Sequence, residues 1–295
     1  MRKQLVESVE KLIDMDERVM LLLGDIGVHG FRNAFQRHPK RVINIGILEQ
    51  STIGVAAGFS ILGFIPIFHT IAPFIVERAY EQLKVDFGYQ KLGGNFISVG
   101  ASYDYAALGS THHAPGDIGV LLNIPGMEIV VPGTAAEFNR LLEQGYDNGH
   151  PTYYRLSEKE NSFSFPVTFG QAEVIKSGKD ATVVAIGPLL EVVIAAVEGF
   201  DVTVLYYTTL SPFDAQTLIN NVASSKILLC EPFYEGSMTG IIMSVLFPQP
   251  VAVTSIGVPK RFLLNYGTRQ AHDDLYGFTI DNIKSRLELL ISGKY

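Results

Sequence analysis

The sequence predicts an α/β protein built from two parallel-sheet domains. Three observations lead there. Short apolar runs alternate with helical patterns as far as Leu156. A polar and aromatic stretch with a proline, SEKENSFSFPVTFG, then interrupts the rhythm from Ser157 to Gly170. The alternation resumes at Ala181. These place one domain at 1–158, a linker at 159–170 and a second, smaller domain at 171–295.

Residues 3–14 read as a helix with Leu5, Val9 and Leu12 on one face. Val19 to Leu23 is a buried strand, Phe31 to Arg37 a short helix stopped by Pro39, and Val42 to Ile45 a second strand. The small residues Gly54, Ala56, Ala57 and Gly58 mark a close-packed helix. Phe64 to His69 is a strand; Ile75, Ala79, Leu83 and Phe87 then recur at helical spacing over Ala72 to Phe87. Asn95 to Val99 is a strand, Gly100 to Asp117 a long polar and aromatic loop, Met127 to Val131 a strand, Ala135 to Tyr146 a helix and Thr152 to Leu156 a strand. In the second domain, strands at 181–186, 202–206, 226–230 and 251–256 alternate with helices at 189–197, 215–221 and 237–246, and a helix over 279–291 closes the chain. Such alternation covers a parallel sheet on both faces.

Of the 295 residues, 47% are hydrophobic and 18% charged, so a large core is available and disorder is excluded. A net charge of -7 without a long basic run argues against nucleic acid. The single cysteine, Cys230, lies in an apolar run, forms no internal disulfide and fits a reducing, cytoplasmic compartment. The first residues lack the apolar core of a signal peptide, and no uncharged run is long enough to span a membrane.

Chemistry concentrates at Arg41 to Gly63, where Glu49 is the only carboxylate between Arg41 and Glu77. It sits at a strand-to-helix junction, where α/β proteins gather functional groups. Burial favours the protonated, donating form of such a carboxyl. Equally open from the residues alone, Glu49 complements a helix N-terminus. Cys230 reads as a small buried hydrophobe. His112, His113 and Asp117 share a loop but do not make a metal site, which needs three or four ligands of set geometry. Nucleotide-binding glycine fingerprints directly after a strand and a GxSxG nucleophile elbow are absent.

The text of the chain resembles thiamine-diphosphate enzymes of the transketolase type. NIGILEQSTIGVAAGFSILG is similar to that family's pyrimidine-contacting segment, and PIFHTIAPFIVERAYEQL to its cofactor-stacking segment. STHH after Gly109, IPGMEIVVPGTAAEF and PTYYRLSE follow in the family's order. DATVVAIGPLLEVVIAA, VTVLYYTTLSPFD and SIGVPKRF resemble its C-terminal domain. The family's diphosphate motif, GDG…N, is missing, since Gly24-Asp25-Ile26-Gly27 does not match it. The resemblance therefore implies a pyrimidine-binding domain followed by a transketolase C-terminal-like domain. That is the second chain of a split transketolase, active with a companion chain in an α2β2 heterotetramer. It further implies that thiamine diphosphate is used and that Mg²⁺ or Ca²⁺ is held by the companion.

By the same resemblance, Glu49 contacts N1′ of the cofactor's aminopyrimidine and Phe74 stacks on that ring. Ile47 and Ile71 line the pocket, Asp25 falls at the family's acid after the first strand, and His112 faces the substrate. The substrate side departs from the pattern. Leu108, Gly100 and Glu158 fall where sugar-phosphate enzymes carry an acid, a histidine and a phosphate-binding arginine. Arg155, His113 and Arg2 are candidates to compensate. A ketose or a 2-oxo acid is the expected substrate. The beta chain of a 2-oxoacid dehydrogenase, a deoxyxylulose-phosphate synthase and a non-catalytic partner chain are the alternatives.

Overall fold

The apolar runs become strands because continuous Val, Ile and Leu stretches can be buried on both faces of a sheet. The computed structural model describes residues 1–293; residues 294 and 295, the end of the predicted second domain, lie outside the described residues. The chain begins α1 (Arg2–Met15), β1 (Val19–Leu23), α2 (Arg32–Arg37), β2 (Val42–Asn44), α3 (Glu49–Ile61) and β3 (Ile65–Ile71). A helical segment follows, with π-helical turns at Phe74–Arg78 and Leu83–Tyr89 around α4 (Tyr80–Gln82). Then come β4 (Gly94–Val99), α5 (Asp117–Leu121), β5 (Glu128–Val130), α6 (Ala135–Gly145) and β6 (Pro151–Arg155). The second half contains β7 (Glu173–Lys176), β8 (Thr182–Ile186), α7 (Leu190–Ala196), β9 (Thr203–Tyr207), β10 (Thr209–Ser211), α8 (Ala215–Asn221) and β11 (Lys226–Tyr234). It ends with α9 (Thr239–Leu246), β12 (Ala252–Val258), α10 (Arg269–Tyr276) and α11 (Ile280–Ser292).

The strands form a seven-stranded sheet, ordered β10-β5-β6-β4-β3-β1-β2, and a five-stranded sheet, ordered β12-β11-β8-β9-β7. All pairings are parallel except those of two edge strands: β10 runs antiparallel to β5, and β7 antiparallel to β9. The two parallel-sheet α/β domains are therefore present, each with one antiparallel edge. β10 comes from the second half of the chain yet completes the first sheet.

Side chains alternate between faces along each strand. Leu21, Leu23, Ile67 and Ile97 pack with Leu5 and Val9 of α1 and Phe138 and Leu141 of α6. Leu22, Phe68 and Phe96 point the other way, onto Ile53 and Ala56 of α3 and Ile75, Leu83 and Phe87 beyond it. The second sheet repeats the plan, with α7 and α11 on one face and α8 and α9 on the other. The predicted helix over Ala72 to Phe87 is real but wider than a regular α-helix in its first and last turns. The π-turns keep Ile75, Ala79, Leu83 and Phe87 buried while Phe74 and Arg78 stand nearer solvent. Such turns recur at functional sites.

Candidate functional site

The carboxyl ends of β1, β2 and β3 lie side by side, because these strands pair in parallel register. From them leave Asp25, Glu49 and, three residues after Ile71, Phe74. Asp25 is exposed and holds φ at 69°, a left-handed conformation that costs a non-glycine residue about 1 kcal/mol or more. Two hydrogen bonds with Asn44 fix it: the Asp25 backbone N–H donates to Asn44 Oδ1 at 3.0 Å, and Asn44 Nδ2 donates to Asp25 Oδ1 at 3.2 Å.

Glu49 opens α3 and is 0% exposed. Its Oε2 accepts from Arg78 Nη1 at 2.7 Å, while Oε1 is buried without a hydrogen-bond partner. An unsatisfied buried carboxylate oxygen is costly, and few survive in native proteins without a reason. Immediately before it, Ile47 is 64% exposed and Leu48 is exposed as well. Arg78 places its guanidinium 3.9 Å from the centre of the Phe74 ring, a cation–π contact. The Phe74 ring meets His112 edge-on at 5.7 Å between centroids, and His112 meets Tyr105 edge-on at 6.2 Å. Thr111 Oγ1 lies 2.9 Å from His112 Nδ1 and steadies the ring. Glu49, Arg78, Phe74, His112 and Tyr105 thus form one continuous row of contacts. Arg2 extends it by donating from Nη2 to the Tyr105 hydroxyl.

Other residues singled out from sequence are not members of that row. Ile71 is buried at the end of β3. His113 is buried beside His272 of α10, with ring centroids 5.7 Å apart. Burial, then His272, holds His113 below the ordinary histidine pKa. Arg155, expected as a substrate contact, is buried and paired within the fold. It is 1% exposed, and its Nε donates to Asp117 Oδ2 at 2.7 Å while Nη2 donates to Ser102 Oγ at 2.8 Å. A guanidinium so enclosed has little left to offer a ligand. Among the described residues, no group of three or more His, Cys, Asp or Glu side chains could hold a metal ion.

Sequence reasoning missed Arg78 and Tyr105. Arg78 did carry a signal, as the only Lys or Arg between Arg41 and Lys84, the counterpart of the isolated Glu49. Nothing in the sequence distinguishes Tyr105. His69 was also passed over. It is buried in β3, with Nδ1 2.8 Å from the Ile97 carbonyl oxygen, and burial pushes its pKa down to about 4.

Comparison with known proteins identifies the family. Residues 1–162 match the family model "Transketolase, pyrimidine binding domain", and residues 170–283 match "Transketolase, C-terminal domain". An uncharacterized 33.6 kDa protein of the fasciation locus of Rhodococcoides fascians is 36% identical over 279 residues, 93% of this chain and 89% of that one. One of the subunits of an apulose-4-phosphate transketolase from Actinobacillus succinogenes is 29% identical over 258 residues, covering 83% of each chain. Among solved structures, a split gene transketolase described as an inactive beta4 tetramer superposes with a TM-score of 0.84 at 26% identity. That match covers 100% of this chain and 98% of the other. The chain therefore belongs to the transketolase family, of which it carries the pyrimidine-binding and C-terminal domains.

Proposed function

We propose that this chain is the second subunit of a split transketolase-like enzyme that transfers a ketol unit with thiamine diphosphate. The observation that carries the reading is the buried Glu49 Oε1, left without a partner beside exposed Ile47 and Leu48. An orphaned carboxylate oxygen is what a ring nitrogen of the cofactor's aminopyrimidine would satisfy, so the residues present fit the group. When bound, thiamine diphosphate supplies a nucleophilic carbon and an electron sink for cleaving a bond next to a carbonyl.

Each residue in the row then has a task. Glu49 Oε1 would meet N1′ of the pyrimidine, and Arg78 fixes the carboxyl group from its other oxygen. Phe74 offers its ring to the pyrimidine, a contact that contributes about 0.5–1.5 kcal/mol beyond burial. His112 is steadied between Phe74 and Tyr105 and meets the reacting oxygen of the substrate. Ile47 closes over the pocket, and Asp25 shapes its far wall. A companion chain supplies the diphosphate site with its Mg²⁺ or Ca²⁺ and covers the apolar surface at Ile47 and Leu48, in an α2β2 assembly in the cytoplasm. Relatives named as single subunits of apulose-4-phosphate transketolases, and a split-gene structural neighbour described as inactive in its beta4 form, support that division of labour.

Glu49→Gln tests the reading in the complex reconstituted with its companion. Hydrogen–deuterium exchange at C2 of bound cofactor should slow by roughly 10²–10⁴, as expected when an acid/base group is removed. An unchanged rate means that another group performs this task. This chain alone should not bind thiamine diphosphate in the micromolar range, and calorimetry that finds such binding would refute the two-chain site.

A further inference from the structure

The cofactor row leaves the imidazole of His69 without a task. Its side chain shares the face of Ile67 and Ile71 on β3, the face that α1 covers. α3, which Glu49 opens, packs on the opposite face. His69 is 3% exposed, and the Ile97 carbonyl oxygen 2.8 Å from its Nδ1 can accept only from an N–H. Nδ1 therefore carries the proton of the neutral ring. Burial, aided by the charge of Arg2, keeps the ring neutral at neutral pH. Nε2 is left as a bare acceptor with no donor among the described residues.

That nitrogen does not face a closed core. His69 lines a cavity of about 540 Å³ between α1 and the loop that follows β1. Gly27 makes the opening. It holds φ at +86°, and a Cβ there would come within 2.8 Å of His69 Cδ2 and 3.2 Å of Nε2. Any side chain at that position would cover the ring edge. Val6, Ile26 and Phe31 supply apolar walls, and the Phe31 ring meets His69 edge-on at 6.5 Å between centroids. Small-molecule sites have this size and this mixture of apolar walls with a few placed polar groups.

The charges around the cavity are unevenly matched. Lys3 faces Glu7 at 3.5 Å, Glu10 Oε2 faces Arg37 Nη2 at 2.9 Å, and Arg2 donates to the Tyr105 hydroxyl. Arg32 is exposed and spends one N–H on the His29 carbonyl oxygen at 3.0 Å. It has no ion-pair partner among the described residues. The cavity thus offers a buried acceptor, apolar walls and an uncompensated guanidinium at its mouth. An inorganic anion would leave the walls and the acceptor unused. A neutral sugar would leave the guanidinium unmatched, and an amine would meet it at like charge.

We propose that this cavity is a binding site for a small hydroxy acid with an apolar body. The hydroxyl donates to His69 Nε2, the body lies against Val6, Ile26 and Phe31, and the carboxylate meets Arg32.

Calorimetry on the full chain tests the site, with 3- and 4-hydroxybenzoate, benzoate and phenol as probes. At least one hydroxybenzoate should bind saturably. Benzoate should bind about twofold to tenfold more weakly, the effect of one hydrogen bond. Arg32→Met, a change at an exposed position, should weaken both carboxylates by about twofold to fivefold and leave phenol unchanged. His69→Phe keeps an aromatic ring and removes the acceptor, so hydroxybenzoate and benzoate should then bind alike. If that variant does not fold, the imidazole nitrogen signals of the wild type in NMR answer the same question. The Nε2 signal of His69 should move further with hydroxybenzoate than with benzoate. Absence of saturable binding by either hydroxybenzoate overturns the assignment. So does a hydroxyl preference that survives His69→Phe, or an Nε2 signal that moves equally with both probes.

Discussion

Two arginine–carboxylate pairs in this protein share a distance of 2.7 Å and little else. Arg155 and Asp117 are both buried, and both carboxylate oxygens are satisfied: Oδ2 by Arg155 and the Tyr153 hydroxyl, Oδ1 by the Ile118 N–H. Arg78 and Glu49 differ at both ends. The arginine side chain is 36% exposed, and the buried carboxylate keeps one oxygen without a partner. A closed pair fixes β6 against α5 and the loop at Ser102. An open pair holds a charge ready for something else. What separates structure from site is the completeness of the hydrogen bonding, not the strength of the contact.

Asp117→Ala attacks the closed pair and should have the largest effect. It strands a guanidinium that cannot lose its proton. Urea unfolding should show a loss of about 3–5 kcal/mol, as for other buried pairs broken on one side. Arg78→Met attacks the open pair and should cost less, roughly 1–2 kcal/mol at neutral pH. Equal losses for the two variants would remove the distinction. His69 sharpens the contrast as a buried ionisable group with no counter-charge. Burial holds it at about 4 against the ordinary 6.5, so the unfolded chain binds the proton first as pH falls. Its contribution is intact above pH 6.5 and is lost as pH drops toward 4, at most roughly 1.4 kcal/mol per pH unit. His69→Asn should flatten that part of a stability–pH curve measured by thermal melts, and an unchanged slope would mean that other groups dominate it.

Most of the architecture was legible because apolar runs and helical stripes have periods that survive in one dimension. β7 and β10 did not show. Thr209–Ser211 is three residues long and pairs with Glu128–Val130, a partner that no local pattern can indicate. α10, RQAHDDLY, has too few apolar residues to announce a face. Within the site, Glu49 was legible as an isolated acid, whereas the contact between Arg78 and Phe74 depends on how the π-turn is wound. Arg155 was placed correctly in its strand, but its burial against Asp117 of α5 is a tertiary property. Tyr105 became visible only through its edge-on contact with His112.

The position of β10 also sets a timetable for synthesis. The outer edge of β5 stays uncovered until the ribosome has added about 80 further residues, which takes roughly 4–16 s at typical elongation rates. During that interval the nascent first domain presents an open strand edge, the kind of surface that pairs with other chains. The earlier half of this polypeptide therefore relies on its own second half to cover that edge.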